Sequence, residues 1–282
     1  MECNPNQHQL TIAPGQFSLL AELKEIWAKR ELLYFLSARD IKVRYKQAAI
    51  GFAWAIVQPL LTMVVFTLVF SRIAGITTGG IPYPVFSFTG LLPWLLFQSS
   101  LSRCSSSVVS EANIISKVYF PRLLIPLSSV LSALADFFVS LFILLGFMLY
   151  YGIAPTWKIA FLPLLVFYSI FAALAVGLWF AAINARFRDV RHVVPLIVRL
   201  WMFMSPVAYP LASVLQKIPA EFHWLYSLNP MVGVIEGFRW ALLDDAALTP
   251  GLFVNSIAFT TLLFIGGVLY FRRVERTFAD IL

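Results

Sequence analysis

Charged side chains are scarce in this chain: 12% of its 282 residues are Asp, Glu, Lys or Arg, against about 25% in soluble domains. With 60% hydrophobic residues and a mean hydropathy of +0.82, it carries more apolar surface than a water-soluble core of its size could hide. Its solvent is therefore lipid. Cysteine is nearly absent, and Cys3 and Cys104 both fall on segments placed in or near the cytoplasm, which argues against a structural disulfide. The three histidines (His8, His192, His223) lie on different segments, and Asp244 and Asp245 share a loop. There is no HExxH, no GxSxG and no metal-spaced Cys/His set, so an enzyme's cluster of nucleophile, base or metal ligands is not seen. A GxxxxGK[ST] phosphate cradle is missing too; a nucleotide that drives this protein binds another chain. The N-terminal residues 1–16 are polar, hold two prolines and lack an apolar run, unlike a cleavable signal peptide.

What is present is a set of apolar spans with basic punctuation. Arg39, Lys42, Arg44 and Lys46 precede an uncharged run over residues 47–71, long enough as a helix to cross a hydrocarbon core of roughly 30 Å. A basic block abutting a span holds that end in the cytoplasm. Upstream, Leu19, Leu20, Leu23, Ile26 and Trp27 share one helical face while Glu22, Glu25 and Lys29 take the other, the pattern of an amphipathic helix lying on the membrane surface. Further spans are expected at 85–101 (with Pro93), 123–151 (interrupted by Asp136), 159–183, 193–209 (carrying Arg199) and 252–271. Residues 102–122 read as an inward polar loop. Residues 210–245 are apolar but cut by proline too often to cross, and read as re-entrant helices near an outer gate, with Glu236 and Arg239 at the exit.

The basic residues test this layout. Seven Lys and Arg precede the first span, three lie in 102–122, four in 186–199 and three at the C-terminus, seventeen inside; Arg72, Lys158, Lys217 and Arg239 make four outside, completing the 21 of the chain. That asymmetry favours six spans with both termini cytoplasmic. The expected fold is an all-α polytopic membrane protein: residues 1–49 as a cytoplasmic N-terminus with an interface helix, 50–271 as the transmembrane domain and 272–282 as a cytoplasmic tail. The net charge of +7 faces anionic lipid rather than nucleic acid, because the cations sit between apolar spans and not on a soluble module. No internal repeat is evident.

Six blocks in order, RYKQAAIGFAWAIVQPLL, YPVFSFTGLLPWLLF, KVYFPRLLIPLSSVLSALADF, NARFRDVRHVVPL, SPVAYP and LNPMVGVIEGFRW, resemble the permease subunits of type-2 ABC exporters for polysaccharides and polyol phosphates. The likeness runs from about Leu32 to the C-terminus, with small departures at Ala48 and Ala49. It implies a bacterial inner-membrane homodimer docked on two copies of a cytoplasmic ATPase, with ATP and Mg on that partner and no cofactor in this chain. The implied cargo is a polyprenyl-diphosphate-linked glycan such as O-antigen, capsule or teichoic acid. A smaller lipid or drug is the alternative cargo, and a polytopic glycosyl- or acyltransferase a more distant reading.

Residue roles are expected as follows. Glu111, Lys117, Phe120, Pro121, Arg122, Arg188 and Asp189 fall on the two inward turns where the family couples to its ATPase; headgroup anchoring by Lys117 and Arg122, or stiffening of the second turn by Asp189 with Arg186 or Arg188, are the alternatives. Arg39, Lys42, Arg44 and Lys46 stand where a lipid phosphate approaches, and topological anchoring accounts for them equally. Trp54, Phe66, Phe70, Trp94, Phe97, Trp201 and Phe203 lie within spans, where flat rings can line a sugar path or face lipid. Asp136 is expected to hydrogen-bond between helices.

Overall fold

The computed structural model describes residues 19–46, 52–115, 117–118, 120–187, 189–244 and 250–278, and among these every regular element is helical. Ala48, Ala49, Arg188, Asp245, Cys3 and His8 lie outside the described residues. The chain begins with α1 (Leu19–Ala28) and α2 (Arg30–Lys46), joined at Lys29. Next come α3 (Phe52–Phe66), which passes directly into a π-helix over Thr67–Ile73, then α4 (Tyr83–Ser110), α5 (Ala112–Ile115), α6 (Leu124–Leu131) and α7 (Leu134–Tyr150). A 3-10 turn at Trp157–Phe161 leads into α8 (Leu162–Arg186), followed by α9 (Val190–Met204), α10 (Leu211–Leu215), α11 (His223–Ser227), α12 (Pro230–Leu243) and α13 (Pro250–Glu275).

Among the described residues, four helical stretches are long and apolar enough to cross a membrane: Ala53–Ile73, Leu124–Tyr150, Trp157–Arg186 and Gly251–Glu275. Two of the six expected spans fall outside that set for physical reasons. α4 has the length, 28 residues, but its second half reads SRCSSSVVS. α9 has 15 residues, about 22 Å at 1.5 Å per residue, and carries Arg191, His192 and Arg199, all exposed.

Two boundaries differ from expectation. The inward loop expected from residue 102 is helix as far as Ser110. Its serines bond back to their own turn: Ser105 Oγ donates to the Ser102 carbonyl at 2.8 Å and Ser107 Oγ to that of Cys104 at 2.8 Å. Hydroxyls satisfied this way let a polar sequence stay helical at depth. The third span is interrupted at Ser132 and Ala133, between α6 and α7.

α4 is the hub, buried over most of its length. It packs along α8, where Gly177 lies directly against Cys104; a Cβ at Gly177 would stand 2.6 Å from the Cys104 Sγ. α8 and α13 run side by side in the same direction: Tyr168 pairs with Ser256 at 2.8 Å, and eleven residues on Trp179 donates to the Leu263 carbonyl at 2.9 Å. The adjacent Gly266 and Gly267 make the notch that takes the Trp179 ring.

Prolines at 206, 210, 219 and 230 keep the segment between α9 and α12 in short pieces. α12 itself is almost wholly buried among α4, α8 and α13. Its start is capped by Asn229, whose Oδ1 accepts from the Met231 amide at 3.0 Å and from Trp201 Nε1 at 2.9 Å. Arg239 of α12 is buried: its guanidinium lies 3.9 Å from the Phe86 ring centre, pairs with Glu236 at 2.9 Å and donates to the Val207 carbonyl at 2.9 Å. This one side chain ties the non-helical 205–210 stretch to α4 and α12.

Candidate functional site: a polar groove between α2, α4 and α7

The groove begins with α2. Its basic residues, four turns of helix without a long apolar stripe, cannot enter lipid unaided, so the helix lies against α6 and meets acids contributed by distant spans. Arg39 pairs with Asp40 at 2.9 Å and grips Glu111 with both terminal nitrogens, Nη1 at 3.1 Å from Oε2. Two-pronged guanidinium to carboxylate contact fixes orientation as well as charge. Five residues on, Arg44 donates to Asp136 Oδ2 and the Tyr45 hydroxyl to Asp136 Oδ1. Arg103 of α4 reaches the same Oδ2 at 2.9 Å, and also donates to Ser132 Oγ at 2.9 Å and Ser99 Oγ at 3.1 Å. Asp136 therefore joins α2, α4 and α7 through one carboxylate. Burial, helped by the hydrogen bond to Asp136, pushes the Tyr45 phenol up to about 12, so it is a donor at any physiological pH.

Two cavities lie along this network. One of about 670 Å³ is bordered by Tyr45, Trp54, Gln58, Gln98, Ser99 and Ser140, among others. A second, of about 510 Å³, is bordered by Arg39, Asp40, Ser106, Ser110, Glu111 and Ser129. Arg44, Arg103, Ser132 or its neighbour Ala133, and the α4 serine face run from one to the other, making a continuous groove. The charges on its walls balance: Arg39, Arg44 and Arg103 against Asp40, Glu111 and Asp136. A neutral, hydroxyl-lined groove with amides at one end can exchange hydrogen bonds with a polar ligand without trapping it electrostatically.

Of the expected phosphate-facing residues, Arg39 and Arg44 line this groove in ion pairs, whereas Lys42 and Lys46 are exposed away from it. Among the expected coupling residues, Glu111 is the groove's acid at the end of α4. Arg122 turns the other way: it donates to the Glu275 carbonyl and stacks 5.9 Å from the Phe278 ring centre, clamping the loop to the end of α13. Phe120 and Pro121 are buried, while Lys117 and Asp189 are exposed. Of the aromatics, Trp54 borders the larger cavity. Trp94 and Phe97 are fully buried inside the chain, with Phe97 edge-on to Trp201 at 5.2 Å; Phe66 and Phe70 pack edge-on at 5.4 Å, and Phe203 is exposed.

Arg103 and the serines were not among the expected site residues, although a signal for them exists. Ser99, Ser102, Ser106 and Ser110 recur at three or four residues, as do Ser129, Ser132, Asp136 and Ser140. The first set marks one face of α4 and the second continues from α6 across the Ser132–Ala133 break into α7, and the two rows meet in the groove.

Residues 31–243 match the family model described as ABC-2 type transporter. The chain is 34% identical over 77% of its length to an O-antigen export system permease protein, RfbA, of Myxococcus xanthus, covering 82% of that protein. It is 30% identical to an RfbA of Klebsiella pneumoniae (89% of this chain, 95% of the relative) and to the polysialic acid transport protein KpsM of Escherichia coli (85% and 92%). With three quarters of its length inside the family model and full-length relatives at this identity, the chain belongs to the ABC-2 type transporter family.

Proposed function

We propose that this chain is the membrane-spanning permease subunit of an ATP-driven exporter that carries a lipid-linked, O-antigen-like polysaccharide across the bacterial inner membrane. The observation that carries the reading is the charge-balanced groove between α2, α4 and α7. Serines from two helix faces and the amides of Gln58 and Gln98 offer weak, exchangeable hydrogen bonds to sugar hydroxyls, while Arg44 and Arg103 can leave Asp136 for a phosphate oxygen. The names of the relatives, export permeases for O-antigen and a transport protein for polysialic acid, support a glycan cargo.

In this reading two copies face each other, α4 and α9 complete six spans with both termini cytoplasmic, and the 210–245 segment forms re-entrant helices at the outer side. Two copies of a separate ATPase supply ATP hydrolysis and hold the Mg. The ATPase docks near Glu111, Lys117, Phe120, Pro121 and Arg122, with Arg188 and Asp189 as a second contact. One observation favours a smaller lipid or drug as cargo: the larger cavity, about 670 Å³, is of drug-binding size.

The test is co-expression with the cognate ATPase followed by transport in inverted vesicles. The chain alone should hydrolyse no ATP, and the complex should accumulate lipid-linked glycan only with ATP. The double substitution Arg44→Gln and Arg103→Gln should abolish glycan uptake while leaving the ATPase bound. Uptake by the chain without nucleotide defeats the proposal, and uptake of small amphiphiles with none of glycan transfers it to the second reading.

A further inference from the structure

A third cavity, sharing no lining residue with the groove, lies where α8 and α13 end together. It holds about 440 Å³ and is bordered by Arg186, Tyr270, Arg273, Val274 and Thr277. Among the described residues no carboxylate borders it and neither Arg186 nor Arg273 forms an ion pair; the neighbouring Arg272 takes Glu275, at 3.2 Å. The Tyr270 hydroxyl has no hydrogen-bond partner among the described residues. Thr277 already donates to the Val274 carbonyl at 2.7 Å. Among the described residues the cavity therefore presents two exposed guanidinium groups with no carboxylate partner and a phenolic hydroxyl with no acceptor.

Depth identifies the occupant. Toward the membrane centre Tyr270 stacks on Trp179, which lies about two helical turns before Arg186, with ring centres 5.2 Å apart and planes 15° apart. A stacked Trp and Tyr pair at the ends of two apolar helices marks headgroup level. Arg186 is also held against the Phe187 ring at 5.5 Å, which places its charge beside an exposed apolar ring at the lipid boundary. Donors without acceptors at that depth suit an anion that brings its own acyl chains along the helices.

We propose that this cavity binds the phosphodiester headgroup of an anionic phospholipid, with Arg186 and Arg273 holding phosphate oxygens and the Tyr270 hydroxyl donating a third hydrogen bond. Basic pockets between membrane helices are suited to such headgroups. The site is separate from the export groove and does not depend on what that groove carries.

The experiment is native mass spectrometry of the full chain in detergent, titrated with phosphatidylglycerol, phosphatidylcholine or inorganic phosphate. Phosphatidylglycerol should stay bound and phosphatidylcholine should not. Arg186→Gln with Arg273→Gln should weaken phosphatidylglycerol roughly tenfold or more. Arg186→Lys with Arg273→Lys should retain most of the binding, which separates charge from folding. Arg191→Gln with Arg276→Gln, two exposed arginines outside the cavity, should leave it unchanged. The proposal is overturned if the Gln pair binds like wild type, if the outer pair matters as much, or if equimolar inorganic phosphate displaces the lipid. It is also overturned if the Gln pair keeps its lipid but loses a co-purifying ATPase, since the cavity would then be a protein-docking surface.

Discussion

Asp136→Ala removes the one carboxylate that holds α2, α4 and α7 together, and its consequence can be worked from the contacts. Arg44 and Arg103 share the same Oδ2, with Arg103 at 2.9 Å, so their guanidinium groups lie roughly 5 Å apart or less and would repel by about 3 kcal/mol at an effective dielectric of 20. The three side chains are 23% to 30% exposed, so water takes up part of this, and about 1–3 kcal/mol is expected. The loss should be local, because α2 is held to α7 through Arg44 and Tyr45 while α4 and α7 keep their apolar packing. Amides of residues 30–46 should then exchange roughly 5- to 150-fold faster in the detergent-purified chain, with those of α8 and α13 unchanged. Adding Arg44→Gln to Asp136→Ala should recover part of the loss, a non-additivity of about 1 kcal/mol. If protection over 30–46 is the same in Asp136→Ala as in wild type, the carboxylate is not the tie, and the groove is held by something else.

Arg239→Met should cost about 3–5 kcal/mol, because the Glu236 carboxylate and two carbonyls lose a charged partner in a closed environment; thermal inactivation followed by size exclusion would read it, and a melting temperature within a degree of wild type would contradict the tie to 205–210. Gly177→Ala should destabilise by about 1–3 kcal/mol, since its Cβ would meet Cys104 at 2.6 to 2.8 Å, whereas Gly146→Ala, with open space around its Cβ, should be neutral or stabilising. In the same pair, maleimide should reach the buried Cys104 faster only in Gly177→Ala. Tyr45→Phe should cost about 1 kcal/mol evenly up to pH 10. The folded phenol titrates near 12 against about 10 unfolded, so the protonated form is the one folding favours and the gap between the proteins should close as pH rises from 10 to 12.

The membrane class, the helical fold and the approximate positions of the apolar helices were legible in composition and run length. Those quantities are local, and the lipid requirement that backbone groups be satisfied within each segment makes them decisive. The end of α4 was not legible by the same rule. Ser102 to Ser107 reads as a loop because serine is polar, whereas in the helix the hydroxyls of Ser105, Ser106 and Ser107 bond back to carbonyls three or four residues earlier, and a neighbour, α8, adds Asn184, which donates to the Ser105 carbonyl at 2.8 Å. That neighbour is 79 residues away, and no window of hydropathy contains it.

The groove was half legible for a related reason. Residue type exposed Arg39 and Arg44 as candidates, but type says nothing of partners, and their partners lie 72 and 92 residues on. Once paired, the same arginines carry a different meaning. A row of free cations would hold a diphosphate tightly and release it slowly, whereas arginines already balanced by Asp40, Glu111 and Asp136 exchange one anion for another, so a phosphate gains only the difference between itself and a carboxylate. The pairing also couples positions. Glu111 sits at the end of α4 where it enters the 111–122 turn, and its hold on Arg39 means that a displacement of this turn pulls on α2, which in turn loads the Arg44 contact with Asp136. In the proposed exporter, a push delivered at the turn would reach the groove through these two ion pairs on α2, without any residue having to move through the apolar core.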